Sequence, residues 1–231
     1  MDPETWLPVY ESIRADFGYD RAADRAARDR LADLAAGADP QAALLLLDGR
    51  VAIVGPAGDP VEECRAVGPD RIVVVSSATQ SLLAADIPID LVVTDLDGTP
   101  EAVVKAADGG VPVAVHAHGD NRDAIDRWVP QIPIDRLVPT TQVEPRDPVL
   151  NPGGFTDGDR AAFLADHAGA DRLRFPGWDL DPAFETAATD LKARKLRWAA
   201  RLLAWLERRR DERFSILDDR RDALDRPEPL G

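Results

Sequence analysis

The chain predicts an α/β protein with a doubly wound, mostly parallel sheet. Three observations carry that expectation. Short runs rich in Val, Ile and Leu recur from residue 50 onward: Val51–Val54, Ile72–Val75, Leu91–Thr94, Val113–Val115, Arg136–Val138 and Leu173–Phe175. They are nearly continuous rather than alternating, as strands covered on both faces must be. The segments between them are long enough for crossover helices, which puts helices on both sides of the sheet. Small, polar and acidic residues then follow strand after strand, at the edge where open parallel sheets bind ligands.

The first element is different. Trp6, Val9, Tyr10, Ile13 and Phe17 fall on one helical stripe, and Asp20 can cap a second helix carrying Ala23, Ala27, Leu31 and Leu34 up to Gly37. Such aromatics serve packing far more often than cofactor contact. Residues 1–48 are therefore expected to form a helical N-terminal subdomain, with Leu44–Leu47 leading into the sheet. Residues 49–180 are expected to form an α/β catalytic domain. From Asp181-Pro182 a long helix is expected, acid at the cap and proline at the first position, with Phe184, Ala188, Leu191, Trp198, Leu202, Trp205 and Leu206 as its apolar stripe. Its basic face runs from Lys192 to Arg210, where the helix dipole favours cations. Residues 181–231 are expected to pack on the catalytic domain, or to make a homodimer contact. The tail after Leu217, rich in Asp, Arg and Pro, is expected to be loosely ordered.

Composition bounds the function. With 231 residues, 45% of them apolar, one good core is affordable. Net charge is −14, which argues against nucleic-acid and anionic-membrane partners. Lys105, Lys192 and Lys195 are the only lysines. An acid-rich, lysine-poor surface fits a halophilic protein, since concentrated salt screens self-repulsion within a few ångströms. A GC-rich coding bias explains arginine over lysine but not the acid excess. No run of eighteen apolar residues and no secretory pattern at Met1-Asp2-Pro3-Glu4 lead us to expect a cytoplasmic protein. The single Cys64 rules out a disulfide framework within the chain.

The candidate site begins at Val93-Thr94-Asp95-Leu96-Asp97-Gly98. Two carboxylates on one strand tip point to a metal and a phosphate-bearing substrate, because hard cations prefer oxygen ligands. The plain alternative is that one acid caps the next helix and the other is solvated. Gly55-Pro56-Ala57-Gly58 could cradle phosphate with backbone amides, but it is neither a dinucleotide fingerprint nor a P-loop. His116 and His118 fall on one strand end, both on one side, with Asp120 and Asn121 just beyond. Zinc is conceivable there, yet a third strong ligand is missing. Phosphate or hydroxyl positioning suits them better, and His116 could equally be structural. Asp157-Gly158-Asp159 fails calcium-loop spacing; Asp157 could act as the cap of a helix starting at Arg160.

Three motifs, Val93–Gly98, His116-Ala117-His118-Gly119-Asp120-Asn121 and Gly154-Phe155-Thr156-Asp157-Gly158-Asp159-Arg160-Ala161, together resemble the archaeal 6-hydroxymethyl-7,8-dihydropterin pyrophosphokinases. The catalytic domain of that family is similar to thiamin pyrophosphokinase. The resemblance covers about residues 40–180, with the motifs in the family's order. Ala57 departs from the family's serine, and Ser76-Ser77-Ala78-Thr79 from its Ala-Asp-Gly-Ala segment.

The resemblance implies pyrophosphate transfer from ATP to the pterin hydroxymethyl group, release of AMP, a Mg²⁺ requirement, and service in tetrahydrofolate or methanopterin synthesis. Asp95 and Asp97 would carry Mg²⁺. His116, His118, Asp120 and Asn121 would orient phosphates or the hydroxyl. Gly55, Pro56, Ala57, Gly58, Ser76, Ser77, Gly98 and Thr140 would line the substrate site with Gly154, Phe155 and Thr156. Asp157 and Asp159 would complete the metal shell or read the pterin's N–H edge. A rival is a haloacid-dehalogenase-type phosphatase with Asp95 as nucleophile. Two strands precede the motif, however, and Lys105 comes too early for the expected lysine. A non-catalytic nucleotide- or sugar-binding domain is the third reading.

Overall fold

Six parallel strands carry the chain, in the spatial order β5-β4-β3-β2-β1-β6. They are β1 (Arg50–Val54), β2 (Arg71–Val75), β3 (Leu91–Thr94), β4 (Val113–Ala117), β5 (Leu137–Thr141) and β6 (Arg172–Arg174). The structure, a computed structural model, describes residues 1–45, 47–184 and 190–231. Two helices precede the sheet, α1 (Pro3–Phe17) and α2 (Arg21–Leu34), followed by the short α3 (Pro40–Leu44). The chain then steps outward through α4 (Pro60–Val67), α5 (Ser76–Ala84), α6 (Pro100–Asp108) and α7 (Arg122–Trp128), adding β2 to β5 on one side of β1. After β5 it returns across the sheet, forms α8 (Asp157–Ala168), and places β6 on the other side of β1. The last helix is α9 (Leu191–Arg210).

The alternation of strand side chains sorts the helices into two layers. Val51, Ile53, Val73, Val75, Leu91 and Val93 face Trp6, Tyr10, Phe163 and Trp205 of α1, α8 and α9. Ala52, Val54, Val74, Val92, Val113 and Val115 face α2 and α4 to α7, meeting Leu31, Cys64, Leu82, Val103 and Ile125. Every buried strand thus has a core on each side, as the continuous apolar runs predict.

Several boundaries differ from the sequence-based expectation, each for a physical reason. β4 and β5 run on to Ala117 and Thr141, because His116↔Thr140 and Ala117↔Thr141 continue the ladder. An apolar reading stops short there, since polar His116 and Thr140 satisfy each other inside the sheet, Nδ1 to Oγ1 at 3.1 Å. The expected helix at Asp181-Pro182 is only a 3₁₀ turn, Asp181–Phe184, and α9 starts at Leu191 after Asp190. Ala188 of the expected stripe lies outside the described residues. The Leu44–Leu47 run stands between the end of α3 at Leu44 and the start of β1 at Arg50, with Leu46 outside the described residues. The tail is not loose. Leu230 is buried, its carbonyl accepts from Arg208 Nη2 at 2.6 Å, and Ser12 Oγ donates to the Glu228 carbonyl at 2.9 Å.

The N-terminal helices are tied to the sheet by a buried polar network. Tyr10 Oη donates to Asp24, Gln142 Nε2 donates to Tyr10 Oη at 2.8 Å and to Asp24 Oδ1 at 3.0 Å, and the Gly119 amide donates to the same oxygen at 2.8 Å. Trp6 Nε1 reaches the Gln142 carbonyl at 3.0 Å. Among the described residues, no helix is long and apolar enough to cross a membrane.

Phe163 is fully buried, its ring 6.0 Å from Trp6 and 5.9 Å from Trp205, so it joins α1, α8 and α9 in one layer. Phe163→Ala should lower the urea-unfolding free energy by about 3–5 kcal/mol through lost burial and a cavity. Urea titration with an unchanged m-value checks this.

Candidate active site

The site is built at the carboxyl edge of β3. Thr94 Oγ1 accepts the Leu96 amide at 2.8 Å and turns the chain immediately after the strand. Leu96 is held at φ 68°, a left-handed conformation rare for a side chain of its size, while that side chain stays buried in the core. Such backbone costs about 1–2 kcal/mol and persists only where packing enforces it. Here it turns the carboxylates on either side, Asp95 and Asp97, into a common cleft.

The third acid comes from another element. The return from β5 brings the N-terminus of α8 over the sheet edge, and Asp157 joins the pair. One carboxylate oxygen from each of Asp95, Asp97 and Asp157 lies within 4.8 Å of the other two. Arg160, one turn further along α8, is 6% exposed and stands 2.9 Å from Asp157 Oδ1 and 3.7 Å from Asp95 Oδ2. Gly154 makes this packing possible: at φ 95° a Cβ there would sit 2.4 Å from Arg160 Cα.

The loop after β4 supplies the other wall. His118 Nε2 lies 3.4 Å from Asp95 Oδ2, and its Nδ1 accepts the Asp120 amide at 3.3 Å, so the ring proton sits on Nε2 and faces the carboxylate. Asn121 clamps this loop to β3. Its Nδ2 donates to the carbonyls of Asp95 at 2.8 Å and His116 at 2.7 Å, and its Oδ1 accepts the His118 amide at 3.0 Å.

The electrostatics follow from this crowding. Burial opposes ionisation of Asp95, but His118 and the Arg160 guanidinium outweigh it and hold its carboxyl below the usual range. Burial and the neighbouring Asp95 charge raise Asp97. Burial and the same charge push Asp157 up to about 8 despite Arg160. Three oxygen donors, two of them with pKa raised first by burial and then by mutual repulsion, form a cluster that a hard divalent cation would relieve.

These residues line a cleft of about 390 Å³, closed on other sides by Tyr19, Asp24, Ser77, Phe155, Lys192 and Lys195. A second hollow of about 320 Å³ adjoins it, sharing Thr156, Lys192 and Leu196, and is walled by Gly55, Pro56, Ala57 and Trp178. Gly55 packs so tightly that a Cβ would sit 2.4 Å from the Gly177 carbonyl oxygen.

The residues singled out from sequence sort accordingly. Asp95, Asp97, His118, Asp120, Ser77, Phe155, Thr156 and Asp157 line the cleft. His116, Thr140 and Asn121 stand behind its wall, buried. Burial pushes the His116 pKa well below that of a free imidazole, and Arg160 adds to this. Ser76 is also buried, donating from Oγ to the Asp97 carbonyl at 3.1 Å. Gly98, at φ 71°, completes the turn after Asp97. The cap expected of Asp157 belongs instead to Thr156 and Asp159: Asp159 accepts the Phe155 and Thr156 amides at 3.1 and 2.6 Å, which uses its carboxylate inside the helix start. In the Gly55–Gly58 turn the amides of Gly55 and Ala57 are already donated to the carbonyls of Pro176 and Gly177, at 2.9 and 2.8 Å, so those two are not free to cradle phosphate. Lys105, the lysine of the phosphatase reading, lies outside the cleft beside Thr99 and Glu101. Sequence reasoning did not single out Arg160, Asp24, Gln142 or the two lysines of α9 as site residues; the spacing of Arg160 one turn after Asp157 was the available signal.

A parallel α/β sheet with an acidic cleft at its carboxyl edge, where three loops converge, defines an enzyme of the ligand-binding α/β class. Residues 69–183 match the family described as 6-hydroxymethylpterin diphosphokinase MptE-like. A Methanothermobacter thermautotrophicus protein named 6-hydroxymethyl-7,8-dihydropterin pyrophosphokinase is 37% identical over 93% of this chain and 99% of its own length. Proteins of the same name from Pyrococcus furiosus and Methanocaldococcus jannaschii are 37% and 30% identical, each over 90% of this chain and at least 95% of their own lengths. The chain belongs to this family of pterin diphosphokinases.

The raised pKa of Asp157 sets a pH dependence. Its folded value, about 8, lies above the 3.8 of a free aspartate, so between the two the native state holds a proton that the unfolded chain has released. This group's contribution to stability therefore falls as pH rises from about 4 to about 8. In the presence of a chelator, Asp157→Asn should lose less stability over that window than the parent chain. Denaturant titrations at pH 5 and pH 8 read the difference; identical slopes would remove Asp157 from the repelling cluster.

Proposed function

We propose that this protein transfers diphosphate from ATP to the hydroxymethyl group of 6-hydroxymethyl-7,8-dihydropterin, giving the pterin diphosphate and AMP, in tetrahydrofolate or methanopterin synthesis. The observation that carries the reading is the Asp95–Asp97–Asp157 cluster. It lies at the cleft of a chain whose relatives bear the name of that pyrophosphokinase.

The donor set fits Mg²⁺: three carboxylates, all hard oxygen ligands, whose repulsion a divalent cation would cancel. When bound, the ion would offset charge on the triphosphate. The protein's own groups do the rest. In the reaction the pterin hydroxyl oxygen forms a bond to the β-phosphorus, and the bond from that phosphorus to the oxygen of AMP breaks, its electron pair leaving with AMP. Phosphoryl transfer has a loose transition state, so positioning matters more than strong base catalysis. His118 and Arg160 hold Asp95 ionised and fixed. Asp120, an exposed acid lining the cleft, would accept the hydroxyl proton late in the step. Tyr19 and Phe155, ring centroids 6.3 Å apart in the lining of the cleft, offer an apolar wall for the flat pterin. The phosphatase alternative has no support in the site, since Lys105 is elsewhere.

In high salt with Mg²⁺, ATP and 6-hydroxymethyl-7,8-dihydropterin, AMP should form only when the pterin is present. Phosphate release from a monoester without pterin would favour the phosphatase instead. Asp97→Asn should reduce AMP formation at least about 100-fold, the scale of losing a charged group at the reacting phosphates. An unchanged thermal midpoint would show intact folding, and near-normal turnover would remove Asp97 from the site.

A further inference from the structure

The cleft is lined by six aspartates against three cations, Arg160, Lys192 and Lys195. Arg160 is committed, buried between Asp157 and Asp95. A polyphosphate entering this space would meet more negative than positive charge unless the remaining two cations are free for it. They are. Neither lysine forms an ion pair with a carboxylate among the described residues.

The other cations of α9 behave differently. Arg194 is bound to Asp16 at 3.1 Å, Arg201 to Asp225 at 2.7 Å, and Arg210 to Asp166 at 2.6 Å. Arg197 donates to the Ala183 carbonyl at 3.0 Å. The arginines thus fasten the helix, while the lysines, one turn apart at its start, face the cleft. The chain holds three lysines in all, and two of them stand here. A flexible ammonium acts as a mobile point charge and suits a phosphate chain, whereas the planar guanidinium suits a fixed carboxylate.

We propose that Lys192 and Lys195 hold the triphosphate of the diphosphate donor, which makes the start of α9 part of the substrate site. The inference rests on the reading of the cleft as a diphosphotransferase site. Lys195 lies near enough to Asp97 for their charges to interact. Lys192 stands at the junction with the Gly55–Trp178 hollow. This gives the donor a direction: its reacting diphosphate lies over the acidic cluster and its nucleoside points toward that hollow.

Lys192→Ala, Lys195→Ala, the Lys195→Arg variant and a Lys105→Ala control test this by two readouts. Calorimetric titration with inorganic pyrophosphate and Mg²⁺ should show each alanine variant binding roughly tenfold or more weakly, the worth of a charge-assisted hydrogen bond. Steady-state kinetics should show a matching rise in KM for ATP with KM for the pterin unmoved. Lys195→Arg should recover part of the loss, and Lys105→Ala should match the parent in both. Parent-like pyrophosphate affinity in both alanine variants would overturn the assignment, as would a rise in pterin KM alone. If the parent chain made no AMP, the diphosphotransferase reading would fail. Pyrophosphate binding lost in the lysine variants would then still support an anion site at these residues. Both lysines are at least partly exposed, so thermal midpoints near the parent value are expected and report intact folding.

Discussion

A guanidinium 6% exposed lies between Asp157 and Asp95, and the geometry of the cleft follows from where it is held. A buried charge is tolerable only when paired, and removing one partner of such a pair typically costs about 3–5 kcal/mol. Arg160 is fixed from several directions. Its backbone fills the space that a side chain at Gly154 would need, its Nη2 reaches Gln142 Oε1 at 3.4 Å, and α8 is started by the Thr156–Asp159 capping box. Gln142 in turn holds Tyr10 and Asp24 of the N-terminal helices, and Asp24 accepts the Gly119 amide in the loop that carries His118. One polar chain therefore runs from α1 and α2 through Gln142, just after β5, and α8 to the acidic cluster. Buried polar chains of this kind strengthen one another in the low dielectric of the interior.

That chain also explains why helices outside the α/β repeat matter to the cleft. The α1–α2 connection contributes Tyr19 to its wall, α2 contributes Asp24, and α9 contributes Lys192 and Lys195. The sheet alone brings only the strand-tip loops together. Segments from the two ends of the chain narrow the opening and set its charge, so Tyr19 and Lys192 line one cleft although 173 positions separate them.

The parts of the site that could be read from the sequence are those that lie within one loop. Asp95 and Asp97 share a strand tip, and His118, Asp120 and Asn121 share the next one, so local spacing suffices to group them. Asp157 and Asp159 illustrate the limit. Two residues apart in one helical turn, they point in different directions, one into the cleft and one back onto the amides of its own helix start, and spacing alone assigned the cap to the wrong one. The Gly55 turn illustrates another: glycine and proline marked a tight strand-to-helix turn correctly, but its amides are taken by the Pro176–Gly177 segment, a contact made across more than a hundred residues. The tail after Leu217 looked too polar to pack, yet its arginines and aspartates pair with α9 and Leu230 is buried.

The sequence by itself determined the fold class and the order of the strands along the chain, because burial on two faces leaves a mark in each strand's own composition. It also determined the family, through three short motifs in a fixed order. Tertiary structure alone decided which acids meet, which histidine faces the cleft, and which cations are free. Those are properties of the return from β5 over the sheet edge and of α9 laid across its end. Side-chain direction and pairing there depend on contacts between distant segments, and local periodicity carries no record of them.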